Sequence, residues 1–258
     1  MAVLRDGRHG LETLMMLRPV EAEFAPRAQV FPGGRIDEED AQPDWPRLCE
    51  ISADEAVRIG EDDGGDGKGI PPALAFRIGA IREVFEETAV LLGIRGADLP
   101  DQEWATAART RVHTGGHSFR ETVEAAGLRL HPGAMAYFAR WVTPEALPKR
   151  YDTRFYAAVM PAGQEALAAP GEVESLEWIT PAAALQRADT NQAYTLPPTR
   201  AALGSLAQFE DAAAALAGLA AGRDLTPILP RIVNGSGPSP DIRVVLPGEP
   251  GYEPEGGG

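Results

Sequence analysis

The chain has 258 residues, 44% of them hydrophobic, and a formal net charge of −14. That length suits one large domain or one domain with appendages. The charge argues against nucleic acid as a partner, because phosphate contact needs a basic surface. A small phosphorylated substrate remains compatible with it, since a metal and a few local Arg and Lys side chains can reverse the field inside a cleft. No stretch approaches the length of an uninterrupted apolar span, so no membrane crossing is expected. No apolar segment follows the first basic residues, so export is not expected either. The single cysteine, Cys49, leaves no internal disulfide framework and no Cys-based zinc cluster. Its simplest reading is a buried or incidental thiol, and a cytoplasmic, reducing location fits.

In chain order, residues 11–17 form a short apolar run that predicts a buried strand. Residues 19–27 read as a loop leading into Val30-Phe31, and Pro32-Gly33-Gly34 breaks the chain sharply. One or two short helices are predicted within 45–60. Residues 61–72 are acidic, Gly-rich and end in Pro-Pro, which predicts a mobile loop. A long helix is predicted over 73–92, with Gly93 as its stop. Further helices are predicted at 102–110 and 118–126, and strands at 135–142, 153–160 and 173–179. Residues 181–187 predict a helix with proline in its first turn. Residues 197–221 predict a largely helical, alanine-rich stretch stopped by Gly222. A Pro- and Gly-rich tail follows from 227, with one strand candidate at 242–246 and a disordered end at 256–258. Strands alternating with helices imply a layered α/β domain.

The chemistry lies in Arg82-Glu83-Val84-Phe85-Glu86-Glu87. On a helix, Glu83, Glu86 and Glu87 share one face at spacings of three and four. Three crowded carboxylates repel one another unless a cation sits among them. All-oxygen ligation suits Mg²⁺ or Mn²⁺, ions that usually serve phosphate chemistry. The same six residues also read as a solvated face with an Arg82–Glu86 pair, backed by a core stripe of Ile78, Ile81, Val84 and Phe85. The turn Phe31-Pro32-Gly33-Gly34 is able to bring backbone carbonyls beside that helix. Three other motif readings fail. Residues 62–73 lack the acids of a calcium loop at its third and twelfth positions, and Gly67-Lys68 is followed by Gly69 rather than Ser or Thr. His113 and His117 have the spacing of a zinc pair, but Gly115-Gly116 between them spoils the helix such a pair needs.

Together the two segments resemble the signature of the Nudix hydrolases: a glycine, five residues and an acid, then, after a spacer, R-E-apolar-x-E-E-x-G-apolar. Gly34 to Asp40 supplies the first half and Arg82 to Val90 the second. Three positions depart from the pattern. Asp40 stands where Glu is usual, and Ala89 replaces a glycine. The spacer runs from 41 to 81, where the common signature has seven residues. One branch carries such an insertion, the one that includes the peroxisomal coenzyme A diphosphatase of animals and bacterial relatives. More of the chain resembles that branch: Ala28-Gln29-Val30-Phe31-Pro32-Gly33-Gly34 with Asp37, Asp40 and Trp45; Arg140-Trp141-Val142-Thr143-Pro144; Arg150-Tyr151-Asp152-Thr153-Arg154-Phe155-Tyr156; residues 174–181 with Leu196-Pro197-Pro198-Thr199; and Val245-Leu246-Pro247-Gly248.

The resemblance implies a Nudix-type α/β/α sandwich with a mixed β-sheet, residues 1–200 forming the domain. The insertion at 41–81 lies inside the signature, and residues 201–258 form a C-terminal helix and Pro/Gly-rich tail packed on the same domain. It implies hydrolysis of a nucleoside diphosphate-linked compound with Mg²⁺ or Mn²⁺, coenzyme A or acyl-coenzyme A first. ADP-ribose, NADH and dinucleoside polyphosphates are alternatives, and a nucleotide-sensing module without catalysis is another. Carried over by position, Glu86 and Glu87 are metal ligands with the Gly34 carbonyl. Glu83 contacts the metal or its water and can act as base, and Arg82 orients the acids. Glu174 is the candidate for a further catalytic acid outside the signature, with Glu172 and Glu177 as rivals. Asp37 and Asp40 hold the loop or reach an outer shell. Arg27, Arg35 and Arg154 are the candidates for phosphate contact. A homodimer is expected from family habit.

Overall fold

A computed structural model describes residues 1–61, 72–94, 100–144, 146–147, 149–222, 226–234 and 242–252. The predicted loop at 61–72 and the tail at 256–258 therefore lie almost wholly outside the described residues.

The central sheet has six strands: β1 (Ala2–Gly7), β2 (Gly10–Leu17), β3 (Gln29–Val30), β4 (Ala136–Val142), β5 (Asp152–Val159) and β6 (Ser175–Ile179). Their order is β3-β2-β1-β5-β4, and β6 pairs with β2. β1 and β5 run parallel, while the other pairs are antiparallel, so the sheet is mixed. β1 is a strand the sequence reading did not include. Its polar half, Arg5 and Asp6, pairs with Glu12 and Leu11 across the hairpin closed at Gly7 and Gly10.

Side-chain alternation divides the core between the two faces. Val3, Leu14, Tyr137 and Tyr156 enter one cluster, and Ala2, Leu4, Met15, Phe138 and Phe155 enter the other. The first face is covered by α2 (Pro72–Thr88) through Ile78, Ile81, Val84 and Phe85, all fully buried. α4 (Phe119–Ala125) adds Phe119 beside Phe85. The second face is covered by α5 (Pro181–Asp189), α6 (Pro197–Leu206) and α7 (Ala212–Ala221), through Ala184, Leu203, Leu206, Ala215 and Leu219. Helices on both faces of a mixed sheet make the expected α/β/α sandwich.

Several expected boundaries move. The stretch 197–221 is two helices. Asp211 caps the second by accepting from the Ala214 N–H at 2.7 Å, and Gly222 does end it. The boundary drawn at 200 falls inside α6. The strand predicted at 242–246 is β8 (Ile242–Val245), and its partner is an unanticipated β7 (Arg231–Asn234).

The inserted segment folds back onto the α2 face. Trp45 is fully buried against Phe119, and its indole N–H donates to the Glu39 carbonyl at 2.8 Å. In α1 (Ala53–Glu61), Glu55 lies 2.7 Å from the His131 ring and accepts from the Ser52 N–H. Burial pushes the Glu55 carboxyl up, but the Ser52 and His131 contacts outweigh it and hold the group at about 2. Cys49 is the buried thiol expected, pushed up to about 12 by burial. α3 (Gln102–His113) runs outside α2.

α2 ends at Thr88 rather than 92, and the cause is Ala89, whose φ of +57 lies in the left-handed region. A Cβ there costs about 1–2 kcal/mol. A glycine at this position would thus serve as a helix stop. Ala89→Gly also removes a buried methyl worth about 0.8 kcal/mol and loosens the unfolded chain. These terms nearly cancel, so the expected change by urea titration is within about 0.5 kcal/mol of zero. A loss above about 1 kcal/mol would show that the methyl outweighs the strain.

Candidate active site

The Gly33-Gly34 turn and α2 meet at the sheet edge. Gly33 has φ +143, a value that favours glycine, and its N–H donates to Glu87 Oε2 at 2.7 Å. Gly34 lies so close to Glu83 that a Cβ would meet the carboxylate at 2.2 to 2.7 Å. The two glycines are therefore required by the acids of α2. Gly34→Ala is expected to displace Glu83 and lower turnover about 10- to 100-fold, with a small change in melting temperature. An unchanged kcat would mean that Glu83 has slack in the site.

Arg82 organises the same edge. It is 4% exposed, and it forms a two-pronged pair with the fully buried Asp40, Nε to Oδ1 and Nη2 to Oδ2, each 3.0 Å. Nη2 also donates to the Arg35 carbonyl at 2.7 Å, and Nη1 to Glu83 Oε1 at 2.9 Å. Glu86 and Asp37 lie 3.4 and 3.6 Å from the guanidinium. Asp40 further accepts from the Asp37 N–H at 2.8 Å, so it anchors the loop after the glycine turn. Gly79 gives it room, since a Cβ there would come 2.8 Å from Asp40 Oδ2. A solvated helix face is excluded for Arg82 and Glu87, which are buried.

Burial pushes the Glu83 carboxyl up to about 7, with Arg82 opposing and Glu86 adding repulsion. Burial likewise raises Glu86, opposed by Arg82, with Glu172 and Asp37 as further repelling charges. Glu87 rises to about 8, from burial first and then from Glu83, against the stabilising Gly33 N–H. Acids raised by burial and by neighbouring carboxylates in this way are a donor set that a hard divalent cation relieves. The group therefore fits Mg²⁺ or Mn²⁺. Among the described residues no three such side chains are gathered as a ready-made ligand set. Glu83 and Glu86 turn to Arg82, and Glu87 turns to Gly33.

A cleft of about 440 Å³ opens onto this edge. Its lining includes Asp37, Glu39, Arg82, Glu86, His113, His117 and Glu172. The segment carrying Glu172 is fixed by main-chain bonds to the end of α2, Leu167 N to Thr88 O at 2.8 Å and Ala169 N to Glu87 O at 3.0 Å. Buried Arg109 holds it from α3, donating to the Leu167 carbonyl at 2.6 Å.

Other predicted residues lie elsewhere. Glu174 is exposed, bonded through its N–H to the Leu17 carbonyl, and does not line the cleft; Glu172 takes that place. Two residues on a bent chain decide between them, which spacing cannot show. Glu177 is held by Arg187 at 2.6 and 2.8 Å. Arg27 is exposed at φ +59, away from the cleft lining. The Arg35 side chain leans over the Tyr151 ring at 5.7 Å. Arg154 is 7% exposed, stacked on Phe76 at 3.5 Å and 3.5 Å from Asp152, so it is packed rather than presented to the cleft. The groups missed are His113 and His117, set aside because a zinc helix pair was the wrong template for them.

Comparison with known proteins agrees with this arrangement. The sequence profile described as the NUDT19 Nudix domain matches residues 5–206. Acyl-coenzyme A diphosphatase NUDT19 of Gallus gallus is 28% identical over 232 residues, covering 77% of this chain and 61% of the relative. The Xenopus laevis protein of the same name is 26% identical, with 77% and 60% covered. The chain thus spans about three fifths of the length of these curated relatives. The crystal structure of a NUDIX hydrolase from Alicyclobacillus acidocaldarius superposes with a TM-score of 0.66 at 26% identity, covering 86% of this chain and 95% of that one. On the profile match and the shared α/β/α frame, the chain belongs to the NUDT19 Nudix domain family.

Proposed function

We propose that the protein is a Mg²⁺- or Mn²⁺-dependent diphosphatase that cleaves the diphosphate linkage of coenzyme A or acyl-coenzyme A. The observation that carries this reading is the group of acids on one face of α2, buried Glu87 bonded to the Gly33 N–H and half-buried Glu83 packed against Gly34, with half-buried Glu86 beside them. The names of the vertebrate relatives support the substrate class.

Glu86 and Glu87, with the Gly34 carbonyl, would hold the cation. When bound, it would neutralise diphosphate charge and lower the pKa of an attacking water. Glu83, held at about 7, is suited to take the water's proton near neutral pH. Glu172 is the acid outside the signature able to share that task from across the cleft. Arg82 is a positioning residue, because its donors are occupied by Asp40, Glu83 and the Arg35 carbonyl. The water oxygen joins one phosphorus as the bridging P–O bond breaks, and the other phosphate leaves with the bridging oxygen. No described helix is long and apolar enough to cross a membrane.

The test is hydrolysis of coenzyme A, acyl-coenzyme A, ADP-ribose, NADH and diadenosine polyphosphates with Mg²⁺ or Mn²⁺, products being separated by chromatography and Glu86→Gln serving as control. The reading predicts metal-dependent release of phosphopantetheine and 3′-phospho-AMP from the coenzyme A substrates. Preferential cleavage of ADP-ribose or NADH would reassign the substrate. No turnover of any compound by folded protein would favour a nucleotide-sensing module.

A further inference from the structure

We propose that His113 and His117 form the phosphate-contacting rim of the cleft and hold the diphosphate of the substrate against the carboxylates of α2. This rests on the diphosphatase reading and assigns the substrate-binding side of that site.

Two observations carry it. The first is the charge of the cleft. Asp37, Glu39, Glu86 and Glu172 line it and repel a diphosphate. Arg82 also lines it, but four carboxylates lie within 4 Å of its guanidinium, and the Arg35 carbonyl takes a further N–H. A guanidinium has five N–H donors, so little remains for an anionic ligand. Among the described lining residues, the other side chains with an N–H are His113 and His117. A neutral histidine ring carries one N–H and a protonated ring two, so His113, whose Nδ1 lies against Glu172, donates to a ligand from Nε2 as the imidazolium, while His117 can donate in either state.

The second is how the chain places them. His113 is the last residue of α3. Gly115 then takes φ +73, a conformation glycine adopts without strain, and its N–H bonds to the Val112 carbonyl at 3.0 Å. Gly116 and His117 both return to the Arg111 carbonyl, at 2.8 and 3.3 Å. The Gly115-Gly116 turn that breaks a helical pair thus folds His117 back to the cleft that His113 lines. His113 Nδ1 lies 3.3 Å from Glu172 Oε1, which ties this rim to the segment bonded to the end of α2. Both rings are exposed, so neither is needed for the core.

The experiment compares wild type with His113→Leu, His117→Leu and the double variant, which carry no side-chain N–H. It uses steady-state kinetics on coenzyme A with Mn²⁺, and titration with α,β-methylene-ADP plus Mn²⁺ as a diphosphate that is not hydrolysed. The double variant should show KM and the methylene-ADP Kd each raised about tenfold, the scale of one charge-assisted hydrogen bond. Its kcat should stay within about threefold and its melting temperature should not change. His117→Lys should keep most of the affinity that His117→Leu loses. KM and Kd within twofold of wild type in the folded double variant would overturn the proposal. So would a fall in kcat with KM unchanged. If wild type hydrolyses nothing, the diphosphatase reading fails, while methylene-ADP binding still decides the role of the histidines.

Discussion

Glu86→Gln and Glu87→Gln should each lower kcat by about 10²- to 10³-fold while leaving the metal-free protein as stable as wild type or more so. Both effects have one origin. Burial and neighbouring acids raise both groups, Glu86 beside Glu172 and Asp37 and Glu87 beside Glu83 and Glu172, so each charge is costly in the metal-free fold. Glutamine at 87 keeps a carbonyl to accept the Gly33 N–H, so the turn is retained. Stability should also depend on pH in a defined direction. Glu83 and Glu87 titrate at about 7 and about 8 in the folded chain, against an ordinary value of 4.5. Between roughly pH 4.5 and 8 the folded state therefore holds more protons than the unfolded state, and stability falls as pH rises through that window. Glu87→Gln should flatten the slope, making the variant more stable than wild type at pH 8 by on the order of 1–3 kcal/mol. Chemical denaturation at pH 5.5 and 8 in EDTA checks this. A variant that is equally active, or less stable at both pH values, would contradict it.

Arg82→Ala is the change expected to damage the fold most. It strands Asp40, which is fully buried and has the Asp37 N–H as its other hydrogen-bond donor among the described residues. It also leaves Glu83 and Glu86 without their opposing charge. Removing one partner of a buried pair costs about 3–5 kcal/mol. Arg82→Lys should recover only part of this, because one ammonium cannot make the two-pronged contact and reach the Arg35 carbonyl as well. In Arg82→Ala with Asp40→Asn the loss should be smaller than the sum of the single losses. Additive losses would mean that the pair is not the unit that holds the loop.

The signature was legible because it is local. R-E-x-x-E-E fixes three acids by helical periodicity, and Gly33-Gly34 fixes a turn by composition. Long strands and capped helices, such as those at 136–142, 152–159 and 181–189, were legible for the same reason. Three kinds of feature were not. β1 is half polar, and its parallel pairing with β5 joins residues far apart in sequence. The stop at Ala89 was hidden because alanine favours helix, and the left-handed conformation comes from what surrounds it. The choice of Glu172 over Glu174, and the return of His117 to the cleft, depend on loop paths set by bonds to Thr88, Glu87 and Arg111. Arg154 looked available for phosphate beside Tyr151, yet Phe76 and Asp152 occupy it.

The proposed function requires that Glu86 and Glu87, with Glu83 beside them, form one divalent-cation site. Titration calorimetry with Mn²⁺ near pH 7, in buffers of different ionisation enthalpy, tests it most directly. Acids titrating at about 7 and about 8 are partly protonated there, so Mn²⁺ should release about one proton on binding. Glu86→Gln and Glu87→Gln should each weaken binding strongly, with Glu87→Gln releasing fewer protons. Mn²⁺ binding of equal strength in both variants, or binding with no proton release, would contradict the account.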